Sequence, residues 1–259
     1  MKNKVLYIFS KNRAGQIDAL LCSLVQYEYI KDYDIEVLYT FDDKYKDSYT
    51  TLINSWPEIK FTLETDLRQQ FIDTVEKYEY ICTSTDDQWW FQPSDINAVE
   101  RALEESFCFS YRYGLNTVLQ DPFNNIYQTR LYAEQKDGYI KWNFLEYPPL
   151  YNYGFPLAID AHVYKSNRLL PLLKQIDFKN PTQLESNLFQ FRNSIFPYIT
   201  SFNESVSVNV PLNNMSGATE HMGIEEEIYE GYIAGKRLQY YRNNINASHQ
   251  RLNWTLVSC

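Results

Sequence analysis

Two spacings of hydrophobic residues alternate along the first part of the chain. Lys4–Ser10 (KVLYIFS) is a continuous apolar run of strand length, and in the following KNRAGQIDALLCSLVQYEYI the residues Ile17, Leu20, Leu21, Leu24 and Val25 fall at i, i+3, i+4, i+7 and i+8, one face of a helix. Ile35–Phe41 (IEVLYTF) and Ile59–Glu64 (IKFTLE) return to strand-like runs. Leu67, Phe71, Val75 and Tyr78 make a second helical stripe, which leads into a fourth strand, YEYICTST. Strands alternating with helices predict an α/β fold with a mostly parallel central sheet and helices on both faces. Such sheets bind ligands outside the carboxyl ends of their strands, where Ser10, Thr40 and Asp86 stand.

PSDINAVERALEE reads as a helix with Ser94 at the N-cap and Ile96, Val99 and Leu103 on its buried side. Beyond it the pattern diverges. FCFSYRYG, YIKWNF, AHVYK and SVSVNVPLN are short strands between irregular aromatic stretches such as EYPPLYNYGFP, while SNRLLPLLKQI, TQLESNLFQFRNSI and GIEEEIYEGYIAG are helical by spacing. No linker or repeat separates the halves, so one domain is expected over 1–259.

At 259 residues the chain is long enough to bury a substantial core. A formal net charge of -9, a pI of about 4.9 and the lack of any Lys/Arg run that could track phosphates argue against nucleic acid as a partner. No apolar segment approaches the roughly 20 residues that span a bilayer, so any membrane contact would be peripheral, and the N-terminal apolar core is too short for a signal peptide. Cys22, Cys82, Cys108 and Cys259 show no metal or CxxC spacing, which suits free thiols in a reducing, cytoplasmic setting. Aromatics are 17% of residues, a surplus suited to carbohydrate surfaces, where a ring packs on sugar C–H groups and a Tyr hydroxyl bonds sugar oxygens. Coding bias toward Tyr, Asn, Lys and Ile is the blander account of the same surplus.

Several chemistries are disfavoured by what the chain lacks. There is no GxGxxG, GYIAGKR has the wrong spacing for a phosphate-binding P-loop, no GxSxG elbow is present, and His162, His221 and His249 show no HExxH spacing. What remains is YICTSTDDQWWFQPSD, in which Asp86 and Asp87 stand together at a strand end, ahead of Trp89 and Trp90. Adjacent carboxylates repel, so a fold tolerates them where water, backbone donors or a cation offsets the charge. By itself the pair reads as a solvated turn or helix cap as readily as a metal site, and the tryptophans as packing as readily as sugar platforms.

FSKNRAGQIDALLCSL after the first strand and STDDQ after the fourth together resemble the GT-A type of nucleotide-sugar-dependent glycosyltransferases. In that fold a short polar loop, typically with an Arg or Asn opening a long helix, lies near the nucleotide. An acidic motif after the fourth main strand, often Asp-x-Asp, holds a divalent cation against the donor diphosphate. LAIDAHVYKSNRLL is similar to the acceptor-side strand and helix, NPTQLESNL places Glu185 where related enzymes carry an acid near the acceptor, and NASHQ puts His249 where several members supply a last metal ligand. The pair here is Asp-Asp-Gln, which leaves open which acid holds metal and whether one is required.

The resemblance implies a GT-A-like domain with 1–106 as a nucleotide-binding half and 107–259 as an acceptor-side half. It implies transfer of a sugar from a nucleotide-diphosphate sugar donor to a carbohydrate or lipid-linked acceptor. Ser10, Asn12, Arg13, Thr40, Thr85 and Asp86 would face the nucleotide. Asp87, with Asp86 and His249, would hold Mn²⁺ or Mg²⁺, a Lewis acid for the charge growing on the leaving diphosphate. Glu185 or Asp160 would take the acceptor proton if the anomeric centre inverts. Simpler roles stand beside these: Glu185 lies three residues after Thr182, a capping-box spacing, Arg13 would serve equally to pair a surface carboxylate as to pair, beside the strand-end crevice, with phosphate or a site acid, and a lone His249 near a terminus is ordinarily a surface residue. Two other functions use the same elements. One is a non-catalytic binding or scaffold protein, and the other is a nucleotidyltransferase, whose glycine- and lysine-containing phosphate loop SKNRAGQ supplies poorly.

Overall fold

The computed structural model describes residues 2–122, 124–149, 151–212, 224–242 and 244–258. Its first part follows the hydrophobic pattern: β1 (Lys4–Lys11), α1 (Ala14–Gln26), a single turn α2 (Tyr29–Asp32), β2 (Asp34–Thr40), α3 (Lys46–Ser55), β3 (Lys60–Leu63), α4 (Leu67–Lys77), β4 (Tyr80–Thr85), β5 (Gln88–Trp90) and α5 (Ile96–Glu104). Then come β6 (Cys108–Ser110), the pair β7 (Leu119–Asp121) and β8 (Ile126–Tyr127), β9 (Glu134–Gln135), β10 (Ile140–Asn143), β11 (His162–Lys165), α6 (Ser166–Leu173) and α7 (Pro181–Leu188). The last elements are β12 (Tyr198–Ser201), β13 (Ser207–Asn209), α8 (Glu225–Ile233) and the hairpin β14 (Lys236–Tyr241) and β15 (Asn253–Ser258).

Nine strands form one sheet in the order β3-β2-β1-β4-β11-β6-β12-β10-β9. The first four are mutually parallel, β11 runs antiparallel to both β4 and β6, and β12 is parallel to β6. Strands buried on both faces need apolar residues at every position, which is why β1 reads as a continuous run. Its successive side chains go to opposite faces. Val5, Tyr7 and Phe9 enter a core with Phe71, Val75 and Trp142, and Leu6 and Ile8 enter a second core with Ile17, Leu20, Leu24 and Trp90.

Helix α1 is covered on both sides. Ile17, Leu20, Leu21 and Leu24 are buried as the spacing predicts, but Val25 is 41% exposed, and Ala14, Gly15 and Ala19 are buried under α8 and the β14–β15 hairpin. At Gly15 a Cβ would stand 3.0 Å from Ile228 Cγ2, so any larger residue would make the Ile228 side chain give by a few tenths of an ångström.

Two helix starts differ from the sequence expectation. Asp95, not Ser94, caps α5 by accepting from the Asn97 amide. Asn180 caps α7 by accepting from the Gln183 amide at 2.8 Å, with Pro181 in the first helical position, so Thr182 lies inside the helix and the carboxylate of Glu185 is not a cap. Trp90 is a packing residue, fully buried against Tyr29 and Tyr111, and Trp89 packs on Phe91 and Tyr240. Cys82 and Cys108 are buried free thiols, whereas Cys259 and His221 lie outside the described residues. Among the described residues no helix is long and apolar enough to cross a membrane.

Candidate active site

The site begins where β1 and β4 end side by side, with Phe9 opposite Thr85. After β1, Asn12 takes a left-handed turn (φ 61°) and Arg13 becomes the N-cap residue of α1. After β4 the chain turns through Asp86 and Asp87. The two loops therefore meet, and Arg13 Nη1 donates to Asp86 Oδ1 at 2.8 Å and to Asp87 Oδ2 at 3.2 Å, all three side chains being less than a tenth exposed. The Lys11 amide donates to Asp86 Oδ2, and Thr85 Oγ1 and Asn209 Nδ2 each lie 2.8 Å from Asp87 Oδ1. The pair is neither a solvated turn nor a helix cap. Burial pushes the Asp86 carboxyl up to about 6 against the pull of Arg13, and the adjacent Asp87 charge adds to the rise.

Thr85 links this end of the site to a second one. Its Oγ1 is also 2.6 Å from Asp160 Oδ1, while Arg112 Nη1 donates to Asp160 Oδ2 at 3.2 Å. Asp160 stands just before β11, the antiparallel neighbour of β4, behind a turn at Ala161 whose φ of 49° is costly for any residue with a Cβ. His162 Nδ1 donates to the Asp160 carbonyl oxygen at 2.8 Å and so braces that turn; burial, with Arg112 nearby, lowers its imidazole to about 3 and keeps it neutral. From α7, Glu185 Oε1 accepts from the Ile159 amide at 3.2 Å. Burial pushes the Glu185 carboxyl up to about 7, and the Asp160 charge contributes in the same direction. Asp160→Asn removes that charge and frees Arg112 to act on Glu185 alone, so the Glu185 titration, followed by carboxyl NMR shifts, is expected to move to lower pH; an unmoved or rising midpoint would break the coupling.

Arg13, Thr85, Asp86, Asp87, Asp160 and Glu185 are thus gathered into one cluster. His249 joins it indirectly: it pairs by an isolated bridge with Asn209, whose amide holds Asp87, and burial and the Arg112 charge lower it to about 4. The remaining strand-end candidates shape the loop and do not meet the acids. Ser10 Oγ bonds the Tyr49 hydroxyl at 2.6 Å, Asn12 pairs with the side chain and amide of Asp42, and Thr40 contributes its carbonyl to the Asn12 amide. Arg112 and Asn209 are site residues that the sequence did not single out.

The chemistry of the donor set fits a hard divalent cation. Four acids, Asp86, Asp87, Asp160 and Glu185, face two arginines, Arg13 and Arg112, so with all of them ionised four minus two leaves an excess of two negative charges. Both oxygens of Asp86, and Oδ2 of Asp87, keep a lone pair beyond the hydrogen bond named above, whereas Asp87 Oδ1 already faces two donors. Among the described residues no three His, Cys, Asp or Glu side chains converge into a ready-made cage, and Mg²⁺ usually takes only one or two carboxylates, completing its shell with water and substrate phosphates.

In sequence the chain is 27% identical over 194 residues to the bifunctional glycosyltransferase pgtA of Dictyostelium discoideum, a match that covers 65% of this chain and 24% of that protein. The chain therefore spans about a quarter of the length of this curated relative. No family model matches. Among solved structures, S. aureus TarS 1-349 in complex with UDP-GlcNAc aligns with 88% of this chain and 64% of its own, at a TM-score of 0.52 and 14% identity. The fold is GT-A-like. Within this GT-A-like sheet the acid–arginine cluster lies outside the carboxyl ends of β1 and β4, where open α/β sheets bind ligands.

Proposed function

We propose that the protein is a glycosyltransferase that moves a sugar from a nucleoside-diphosphate sugar to a hydroxyl of a carbohydrate or lipid-linked acceptor. One observation supports this most: a cluster with two distinct ends, the first buried and the second half-buried, joined by Thr85, at the strand ends of a GT-A-like sheet. Arg13, Asp86 and Asp87 form the donor end. Asp160, Arg112 and Glu185 form the acceptor end.

Of the two acids considered as base, Glu185 suits the role better. Both oxygens of Asp160 are engaged, by Thr85 and by Arg112, whereas only one oxygen of Glu185 accepts a hydrogen bond among the described residues. A base whose pKa lies near the working pH gives the best product of ionised fraction and driving force. Glu185 would take the proton of the acceptor hydroxyl as that oxygen bonds to the anomeric carbon, the bond from that carbon to the diphosphate breaks, and the nucleoside diphosphate leaves. Attack from the face opposite the leaving group inverts the anomeric centre. Asp160, fixed by Arg112 and Thr85, would orient the acceptor and hold up the Glu185 pKa. Mn²⁺ or Mg²⁺, held by Asp87 and Asp86 with His249 nearby, would supply Lewis-acid stabilisation of the leaving diphosphate.

Ligands that bind only the native state raise its apparent stability. UDP or GDP is accordingly expected to raise the melting temperature, and to raise it further with Mn²⁺. UDP-GlcNAc, bound in the TarS structure, is the first donor to try. No shift with any common nucleoside diphosphate at millimolar concentration would overturn the transferase reading. Binding without donor hydrolysis or transfer would favour a non-catalytic module, and release of pyrophosphate a nucleotidyltransferase.

A further inference from the structure

Tyr240 lies on β14 with its ring turned inward, 7% exposed, while its neighbours Gln239 and Tyr241 face solvent. The strand is fixed onto α1 by an ion pair of Arg237 Nε with the wholly buried Asp18 at 3.2 Å, and Asp18 also accepts from Trp56 Nε1 at 2.8 Å. Trp89 packs on the Tyr240 ring, 5.8 Å between centroids. The ring thus has a fixed place.

Its hydroxyl is harder to explain. Among the described residues it is buried and has no hydrogen-bond partner, a net cost that phenylalanine would avoid while packing the same ring. Yet it is not in an apolar setting: Trp89, which packs on its ring, stands two residues beyond Asp87, and the charges of Asp87, Arg13 and Asp86 act on the phenol. Burial raises the phenol further above its ordinary range, so the group keeps its proton and is a donor.

We propose that the Tyr240 hydroxyl completes the donor end of the site by donating a hydrogen bond to a diphosphate oxygen of the bound nucleotide sugar. This rests on the donor reading given above. The partner missing from the protein is then supplied by the ligand, and the phenol helps to fix the diphosphate beside Asp87 before the glycosidic bond breaks.

The test is Tyr240→Phe, titrated calorimetrically with UDP and with GDP in the presence of Mn²⁺, alongside its melting temperature without ligand. A hydrogen bond to a charged acceptor predicts about 10- to 100-fold weaker binding of whichever diphosphate the wild type takes. Uridine or guanosine should bind the two proteins alike, and the ligand-free variant should melt at the same temperature or higher. Equal diphosphate affinity overturns the assignment. So does a fall in melting temperature that accompanies the loss, which would mark the hydroxyl as structural, and so does a loss seen with the nucleotide sugar but not with the diphosphate. If the wild type binds neither diphosphate, the donor reading itself fails, a result visible before any variant is made.

Discussion

Replacing Arg13 by alanine is expected to destabilise the protein by about 3–5 kcal/mol above neutral pH, because it leaves two adjacent buried carboxylates without their cation. The loss should depend on pH in a defined direction. Asp86 is already pushed up to about 6 with Arg13 in place, and without it the folded-state carboxyl rises further. A carboxyl raised above its unfolded value is protonated in both states at low pH, so the variant should differ least from wild type below about pH 4, and the deficit should grow as pH rises through the folded pKa. Urea unfolding at pH 5 and pH 8 measures both. Arg13→Met, which keeps the aliphatic stem, separates lost charge from lost packing. Mn²⁺ should restore stability to the alanine variant by more than it adds to the wild type, since the pair then has no internal competitor for a cation. A variant as stable as wild type at pH 8 would make the ion pair dispensable, and a Mn²⁺ response no larger than wild type would remove the metal from this pair.

What the sequence disclosed about this arrangement follows from how local each signal is. β1, β2 and β4 are buried on both faces, so their apolar runs are unbroken, and α1 and α4 carry full stripes against the sheet. α3 buries only Ser48, Tyr49 and Leu52, too weak a stripe to stand out. In β14 only Leu238 and Tyr240 point inward, an alternation too short to separate from the helical segment before it. Asp86 and Asp87 were conspicuous because like charges side by side demand an explanation, and their place at a strand end suggested where to look. Pairing with a site acid is one of the roles the sequence leaves open for Arg13, and the sequence does not choose among them because Arg13 reaches the acids only through the pairing of β1 with β4. Arg112 comes from the connection after β6 and Asn209 from the end of β13, both far along the chain, and no spacing near them signals a site. The capping-box spacing of Thr182 and Glu185 is not used, because Asn180 and Pro181, just upstream, supply a better helix start than Thr182.

Glu185→Gln is expected to lower turnover by about 10²-fold or more, since glutamine keeps the hydrogen bond from the Ile159 amide but takes no proton from the acceptor. With Glu185 as the proposed base only its ionised form would act, so the wild-type rate should rise with pH through about 7 and level off above it. The glutamine variant should lack that rise. Stability should move the other way. A carboxyl raised from 4.5 to about 7 on folding binds its proton more tightly in the native state, so between those two values the wild type loses stability as pH increases, and above 7 it bears the full cost of an ionised buried acid beside Asp160. Glutamine has no charge to bury, and the variant should be more stable than wild type at pH 8, by on the order of 1–3 kcal/mol, and nearly equal to it at pH 4. Rate profiles from pH 5.5 to 9, paired with urea unfolding at pH 4 and 8, test both halves together. A variant with full activity would leave Asp160 as the remaining candidate for the base, and a product that retains the donor's anomeric configuration would remove the need for a base at this place. A variant that loses activity and stability alike at pH 8 would instead make Glu185 a structural anchor of α7 against the Asp160 turn.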